Sequence, residues 1–109
     1  MNDIIYDIIY VKAYTILTDN INKISNDIEF LSKNPKNVKF NDLFNICKKY
    51  FPEYRNNGTS HFNFKTYWQG DPRINIQRDK NSKMAKPYQV RQIIKALEKL
   101  KELEEKNEK

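Results

Sequence analysis

His61-Phe62-Asn63-Phe64-Lys65 and Arg73-Ile74-Asn75-Ile76-Gln77 alternate apolar and polar side chains along their length. A period of two belongs to a β-strand, whose successive side chains leave on opposite faces. Phe62 and Phe64 therefore share one face with Ile74 and Ile76. His61, Asn63 and Lys65 share the other with Arg73, Asn75 and Gln77. Between the two runs, Gln69-Gly70-Asp71-Pro72 is a strong turn signal. Ahead of them, Glu53 to Arg55 and then Asn56-Asn57-Gly58 make a hairpin with His61 to Thr66, because Asn and Gly tolerate the positive φ of a tight turn. A small antiparallel sheet follows, apolar on one side and polar on the other.

Working outward, the sheet is flanked by helical patterns. Leu17, Ile21, Ile24, Ile28 and Leu31 fall on one helical stripe, which Asn34-Pro35 ends and which Asp19 or Asn20 is placed to cap. Met1 to Thr18 is either a further helix or an ordered arm, and Ile8 to Val11 also suits a strand. A second helix is expected from a cap at Asn41, with Leu43, Ile46, Cys47, Tyr50 and Phe51 on one face and Pro52 as its stop. After a polar loop, Arg78 to Lys86, Pro87 opens a helix carrying Val90, Ile93, Ile94, Leu97, Leu100 and Leu103 at helical spacing. Beyond it, Glu104 to Lys109 is expected to fray.

A chain of 109 residues accommodates one core, so one α+β domain is expected. Its parts are an amino-terminal helical extension (1–35), a main domain (36–104) and a charged tail (105–109). Two helices can cover the apolar sheet face, leaving the polar face open. The apolar residues of the extension, Ile4, Ile8, Leu17, Ile21, Ile24 and Ile28, suit either a protein-protein surface or, as the better expectation, a cap on the domain's own core.

The lone Cys47 has no partner for an internal disulfide, and no Cys/His cluster suggests a structural metal, so a reducing, cytoplasmic setting is expected. Asp3, Asp7 and Lys12 interrupt the first apolar stretch, which excludes a signal peptide or membrane span there. Asn57-Gly58-Thr59 matches a glycosylation pattern, but without a secretion signal it is a turn. The net charge of +6 is unevenly spread. From Met1 to Pro35, 3 Lys/Arg meet 5 Asp/Glu, a balance of −2; from Lys36 to Lys95, 13 meet 4, giving +9; from Ala96 on, 4 meet 5, giving −1. A polyanion would be drawn to the middle of the chain, which makes nucleic acid the first partner to consider; simple solubility is the competing explanation.

Three blocks carry a resemblance to a known family. Gly58-Thr59-Ser60-His61 opens a strand, Trp68-Gln69-Gly70-Asp71-Pro72-Arg73-Ile74-Asn75-Ile76-Gln77 includes the next, and Ala85-Lys86-Pro87-Tyr88-Gln89-Val90-Arg91-Gln92 begins the last helix. Together, over about Asn34 to Leu100, they resemble the HicA toxins of type II toxin-antitoxin pairs. That resemblance implies a double-stranded-RNA-binding-domain-like α-β-β-β-α fold, here with an extra amino-terminal helix. It also implies metal-independent cleavage of messenger RNA without a cofactor, and neutralisation by a HicB-type antitoxin. His61 stands where the family's catalytic histidine stands, held by the turn Gly58, Thr59 and Ser60. Many members have a second histidine beside it, where this chain has Ser60 and Phe62.

The chemistry of such a site can be stated from the residue types. RNA is cleaved when its own 2′-hydroxyl attacks the adjacent phosphorus, which needs a proton acceptor, a proton donor and nearby cations. An imidazole, titrating at about 6.5, serves as either acid or base near neutrality. One histidine fills one role; Lys65, a tyrosine hydroxyl or water is left for the other. Lys65 and Arg73 are the expected phosphate contacts, with Lys86 and Arg91 behind them. Tyr67 and Trp68 suit base stacking but better suit covering a core. A non-catalytic RNA-binding module would use the same charge and fold, and is the alternative.

Overall fold

The computed structural model describes the backbone of residues 3–56 and 58–107 and the side chains of residues 16–56 and 58–106. The expectations for Asn57, for Glu108 and Lys109, and for the side chains of Ile4 and Ile8 lie outside these residues. Three helices and a three-stranded antiparallel sheet form a small α+β domain. In chain order they are α1 (Asp3–Lys33), α2 (Phe40–Tyr50), β1 (Tyr54–Arg55), β2 (His61–Phe64), β3 (Ile74–Gln77) and α3 (Pro87–Asn107), with a single 3-10 turn, Pro35–Asn37, between α1 and α2.

The strands lie in the order β1-β2-β3. Tyr54 pairs with Phe64, and His61, Phe62, Asn63 and Phe64 pair with Gln77, Ile76, Asn75 and Ile74. This register puts the expected apolar set on one face. Phe64, Ile74 and Ile76 are buried and Phe62 packs on the same core, while His61, Asn63 and Asn75 are exposed. α2 docks on β1 and β2 through Phe44, whose ring meets Tyr54, Phe62 and Phe64 edge-on at 5.4, 5.0 and 5.6 Å. α3 runs beside β3, burying Val90, Ile93, Ala96, Leu97 and Leu100, and α1 packs along α3.

Several boundaries differ from expectation. α1 is one continuous helix, so Ile8 to Val11 is helical and Asp19 and Asn20 sit mid-helix rather than capping it. A cap needs a chain that enters from outside the helix, and here the preceding residues are already helical. Of the expected stripe, Ile24 and Leu31 are buried in the domain core and Ile28 packs against it. The carboxy-terminal half of the extension is thus part of the main domain's core.

α2 begins at Phe40, not after a cap at Asn41, and no side chain caps it. The reason is tertiary. The loop after β3 returns alongside, so the Phe40 N–H donates to the Lys83 carbonyl at 2.9 Å and Ala85 N–H donates to the Val38 carbonyl at 2.7 Å. A backbone acceptor thus does what a capping side chain would do. Asn41 Oδ1 instead accepts from Arg78 Nη2 at 2.9 Å, and the Arg78 guanidinium lies over the Phe40 ring at 4.4 Å. Phe51 lies just past the end of α2, its N–H donating to the Cys47 carbonyl at 2.7 Å. The expected fraying from Glu104 is also revised: α3 continues through Asn107, with Lys101–Glu105 at 3.9 Å and Glu102–Lys106 at 3.3 Å bridging successive turns.

Candidate functional site

His61 opens β2, and its position is set by the turn before it. Gly58 takes φ +73°, the left-handed region that glycine enters without a steric penalty. Thr59 then ties the turn: its Oγ1 donates to the Asn56 carbonyl at 2.9 Å and accepts from the His61 N–H at 3.1 Å. The Ser60 carbonyl accepts from the Arg78 N–H at 3.0 Å, and Gln77 Nε2 donates to Ser60 Oγ at 3.4 Å. Both strands therefore hold the residues flanking the histidine. The imidazole itself is exposed and makes no hydrogen bond or ion pair among the described residues.

That imidazole lines a groove of about 900 Å³. One wall is the polar edge of β3 with the turn leading into it: Asp71, Pro72, Arg73, Asn75 and Gln77. The other is the first two turns of α3, where Tyr88, Gln89, Arg91, Gln92 and Lys95 fall on one helical stripe. The amino-terminal end of a helix adds a partial positive charge to this wall. Arg73, Arg91 and Lys95 take part in no ion pair among the described residues, and Asp71 is the one carboxylate of the lining. The charged side chains of the groove are mainly cationic and four amides join them, a lining able to hold an extended anion.

The structure gathers some expected residues and separates others. Arg73 and Arg91 join His61 in the groove. Lys65 does not: it follows β2, pairs with Glu53 at 3.6 Å, and lines a separate basin of about 1120 Å³ with Tyr67, Trp68 and Arg73. Arg73 lines both hollows, so the two meet at its side chain. Lys86 is outside the groove lining; its carbonyl receives the Gln89 and Val90 N–H groups at 2.9 and 3.2 Å. Lys95, Gln92, Tyr88 and Gln89 were not anticipated. The signal for them was present, since Tyr88, Arg91, Gln92 and Lys95 recur three, four and seven residues apart on the stripe of α3 that its apolar residues leave vacant.

Of the aromatic pair after β2, Trp68 packs on the core as expected, whereas Tyr67 stays largely exposed. Trp68 Nε1 donates to the Pro72 carbonyl at 3.0 Å, its ring meets Phe51 edge-on at 5.8 Å, and Lys99 Nζ lies over it at 5.2 Å. Tyr67 donates its hydroxyl to the Tyr50 carbonyl at 2.6 Å but keeps 62% of its surface exposed. Cys47 is fully buried, and burial pushes its thiol well above the usual range, so it offers no thiolate for nucleophilic attack. No three His, Cys, Asp or Glu side chains gather into a metal site among the described residues. No described helix is long and apolar enough to cross a membrane.

Fold and groove together define a class: a small α+β domain that presents a cationic, amide-lined groove around one exposed histidine. No protein-family model, curated protein or solved structure matches the chain.

Proposed function

We propose that this chain is an endoribonuclease toxin of the HicA kind, cleaving messenger RNA without a metal ion and held in check by a HicB-type antitoxin. The observation that carries the reading is the exposed His61 imidazole in one groove with Arg73, Arg91 and Lys95, which form no ion pair among the described residues. The order α2-β1-β2-β3-α3 is compatible with the double-stranded-RNA-binding layout, with α1 as the additional helix. The three blocks that resemble the HicA toxins also converge here: the first supplies His61, the second Arg73, the third Arg91.

A phosphodiester laid along the groove meets the cations first, which neutralise the phosphate and then the extra charge that develops on the phosphorane. His61 takes the proton of the 2′-hydroxyl as its oxygen bonds to phosphorus. The bond to the 5′ oxygen breaks, that oxygen takes a proton from water, and the hydroxide left behind recovers the proton held by His61. The products are a 2′,3′-cyclic phosphate and a 5′-hydroxyl. An antitoxin that blocks this groove would present carboxylates to the same cations.

Labelled RNA incubated with the protein in EDTA tests the reading. Cleavage to 2′,3′-cyclic phosphate ends is expected, and a folded His61→Ala protein that cuts at the wild-type rate overturns it. The presence of one imidazole and no second in the groove favours a second reading, an RNA-binding module without catalysis. Its signature in the same experiment is a mobility shift without products.

A further inference from the structure

One polar side chain in the groove lacks the partner that burial demands. Gln89, in the first turn of α3, is 1% exposed, yet no donor among the described residues reaches its Oε1. Its Nε2 contacts the Tyr88 hydroxyl at 3.3 Å, a long and therefore weak hydrogen bond. Buried polar atoms are nearly always satisfied, and a bare carbonyl oxygen in the interior is a lasting destabilisation. A leucine or methionine would fill the same space without that penalty. Gln89 nevertheless lines the His61 groove, and beside it Tyr88 keeps 56% of its surface exposed.

We infer that Gln89 and Tyr88 form a base-recognition subsite that selects a nucleobase carrying an exocyclic amino group. This rests on the proposed binding of RNA in the groove. The Tyr88 ring, exposed and tethered by that one contact, tilts about it to uncover Oε1 and offers its face for stacking. The base then donates one amino N–H to Gln89 Oε1. Oε1 is the atom of this amide left without a partner, so what the site needs is a donor, and this decides which base fits. Adenine, cytosine and guanine each bring an amino donor. Uracil brings an N–H flanked by two carbonyls, which would press further acceptors against a buried acceptor. Stacking on Tyr88 contributes for every base, because every base has a π-face. Discrimination falls to Gln89, since a site built around an unpaired buried group rejects ligands that leave it unpaired.

The test uses the full chain carrying His61→Ala, which binds without cutting, and fluorescence anisotropy with short single-stranded RNAs. Oligo(A), oligo(C) and oligo(G) are each compared with the counterpart lacking the amino group: purine riboside, 2-pyrimidinone riboside and inosine oligomers. Oligo(U) serves as the natural base without one. At least one amino-bearing oligomer is expected to bind about 10-fold more tightly than its deamino counterpart and oligo(U). Which pair shows the gap identifies the base. The gap should close to within about 2-fold when Gln89→Met is added, while Tyr88→Ala should weaken all oligomers by a similar factor, about 10-fold. Gln89→Met should melt no lower than its parent, since a fold-stabilising role would make it melt lower. The inference is overturned by oligomers that bind without any amino dependence, by tightest binding to oligo(U), or by a gap that persists in Gln89→Met. Should that variant not fold, the deamino comparison in the Gln89 protein decides alone. If no oligomer binds, the RNA reading itself fails, an outcome distinct from binding that ignores the amino group.

Discussion

Two polar clusters lie in different parts of this molecule, and they are built on opposite principles. Where α1 meets the end of α2, the half-buried Asp27 accepts from the Tyr50 hydroxyl at 2.5 Å and pairs with Lys49 Nζ at 2.6 Å on the same oxygen. Tyr67 completes that seam by donating to the Tyr50 carbonyl at 2.6 Å. In the His61 groove, among the described residues, Arg73, Arg91 and Lys95 have no ionic partner and Gln89 Oε1 has no donor. A saturated cluster holds elements together and has nothing left to offer a ligand. An unsaturated one in a concave surface keeps its interactions for something that is not part of the chain.

The sharpest separation of the two should come from His61→Ala. Loss of a proton-transferring side chain is expected to slow RNA cleavage by about 10²- to 10⁴-fold, with the melting temperature unchanged because the exposed ring makes no hydrogen bond or ion pair among the described residues. Product gels and thermal denaturation measure the two quantities. Asp27→Ala should do the reverse. Stranding Tyr50 and Lys49 is expected to cost about 1–3 kcal/mol in denaturant unfolding while RNA affinity stays level. If that variant lost RNA binding and kept its stability, the division between the clusters would be mistaken.

Smaller effects refine the picture. Arg73→Ala and Arg91→Ala should each lower the slope of log affinity against log salt by about 1, with stability moving by no more than about 0.5 kcal/mol. Lys65→Ala should change affinity much less, because Lys65 is turned to Glu53 and lies outside the groove. A Lys65 effect as large as that of Arg73 would move the RNA path into the neighbouring basin. At the saturated seam, burial first, then the hydrogen bond to Asp27 and its charge, push the Tyr50 hydroxyl well above the usual tyrosine range. The native state therefore holds this proton more tightly than the unfolded chain. Its contribution to stability is complete below about pH 10, where a free tyrosine titrates, and is lost as pH rises beyond that. Tyr50→Phe should flatten the alkaline limb of a stability-versus-pH curve; an unchanged limb would mean that other groups govern it.

How far the sequence anticipated these clusters depends on the distance over which each is assembled. Alternation around Phe62-Asn63-Phe64 and Ile74-Asn75-Ile76 set both faces of the sheet, because a strand's side-chain direction is a local property. Gly58 as the positive-φ turn residue and the helical stripe from Val90 to Leu100 were legible for the same reason. The start of α2 was not. Its first N–H is satisfied by the Lys83 carbonyl, more than forty residues away in the chain, so no capping side chain marks the helix start and Asn41 only resembles one. Continuation of α1 through Asp19 and Asn20 was missed because both are favoured caps as well as tolerable helix residues. The Asp27–Tyr50–Lys49 seam joins residues on two helices whose relative placement no local pattern encodes.

The site divides along the same line. From residue order alone, His61 follows a glycine turn, faces away from the phenylalanines, and sits in the cationic part of the chain, because turns, strand alternation and net charge are properties of short segments. Tertiary packing alone decided that α3 lies beside the β3 edge, bringing Arg91, Lys95, Tyr88 and Gln89 to the same groove and leaving Lys65 and Lys86 out of it. Side chains on separate elements become neighbours only through the burial of the apolar faces behind them, and that burial is a global property of the folded chain.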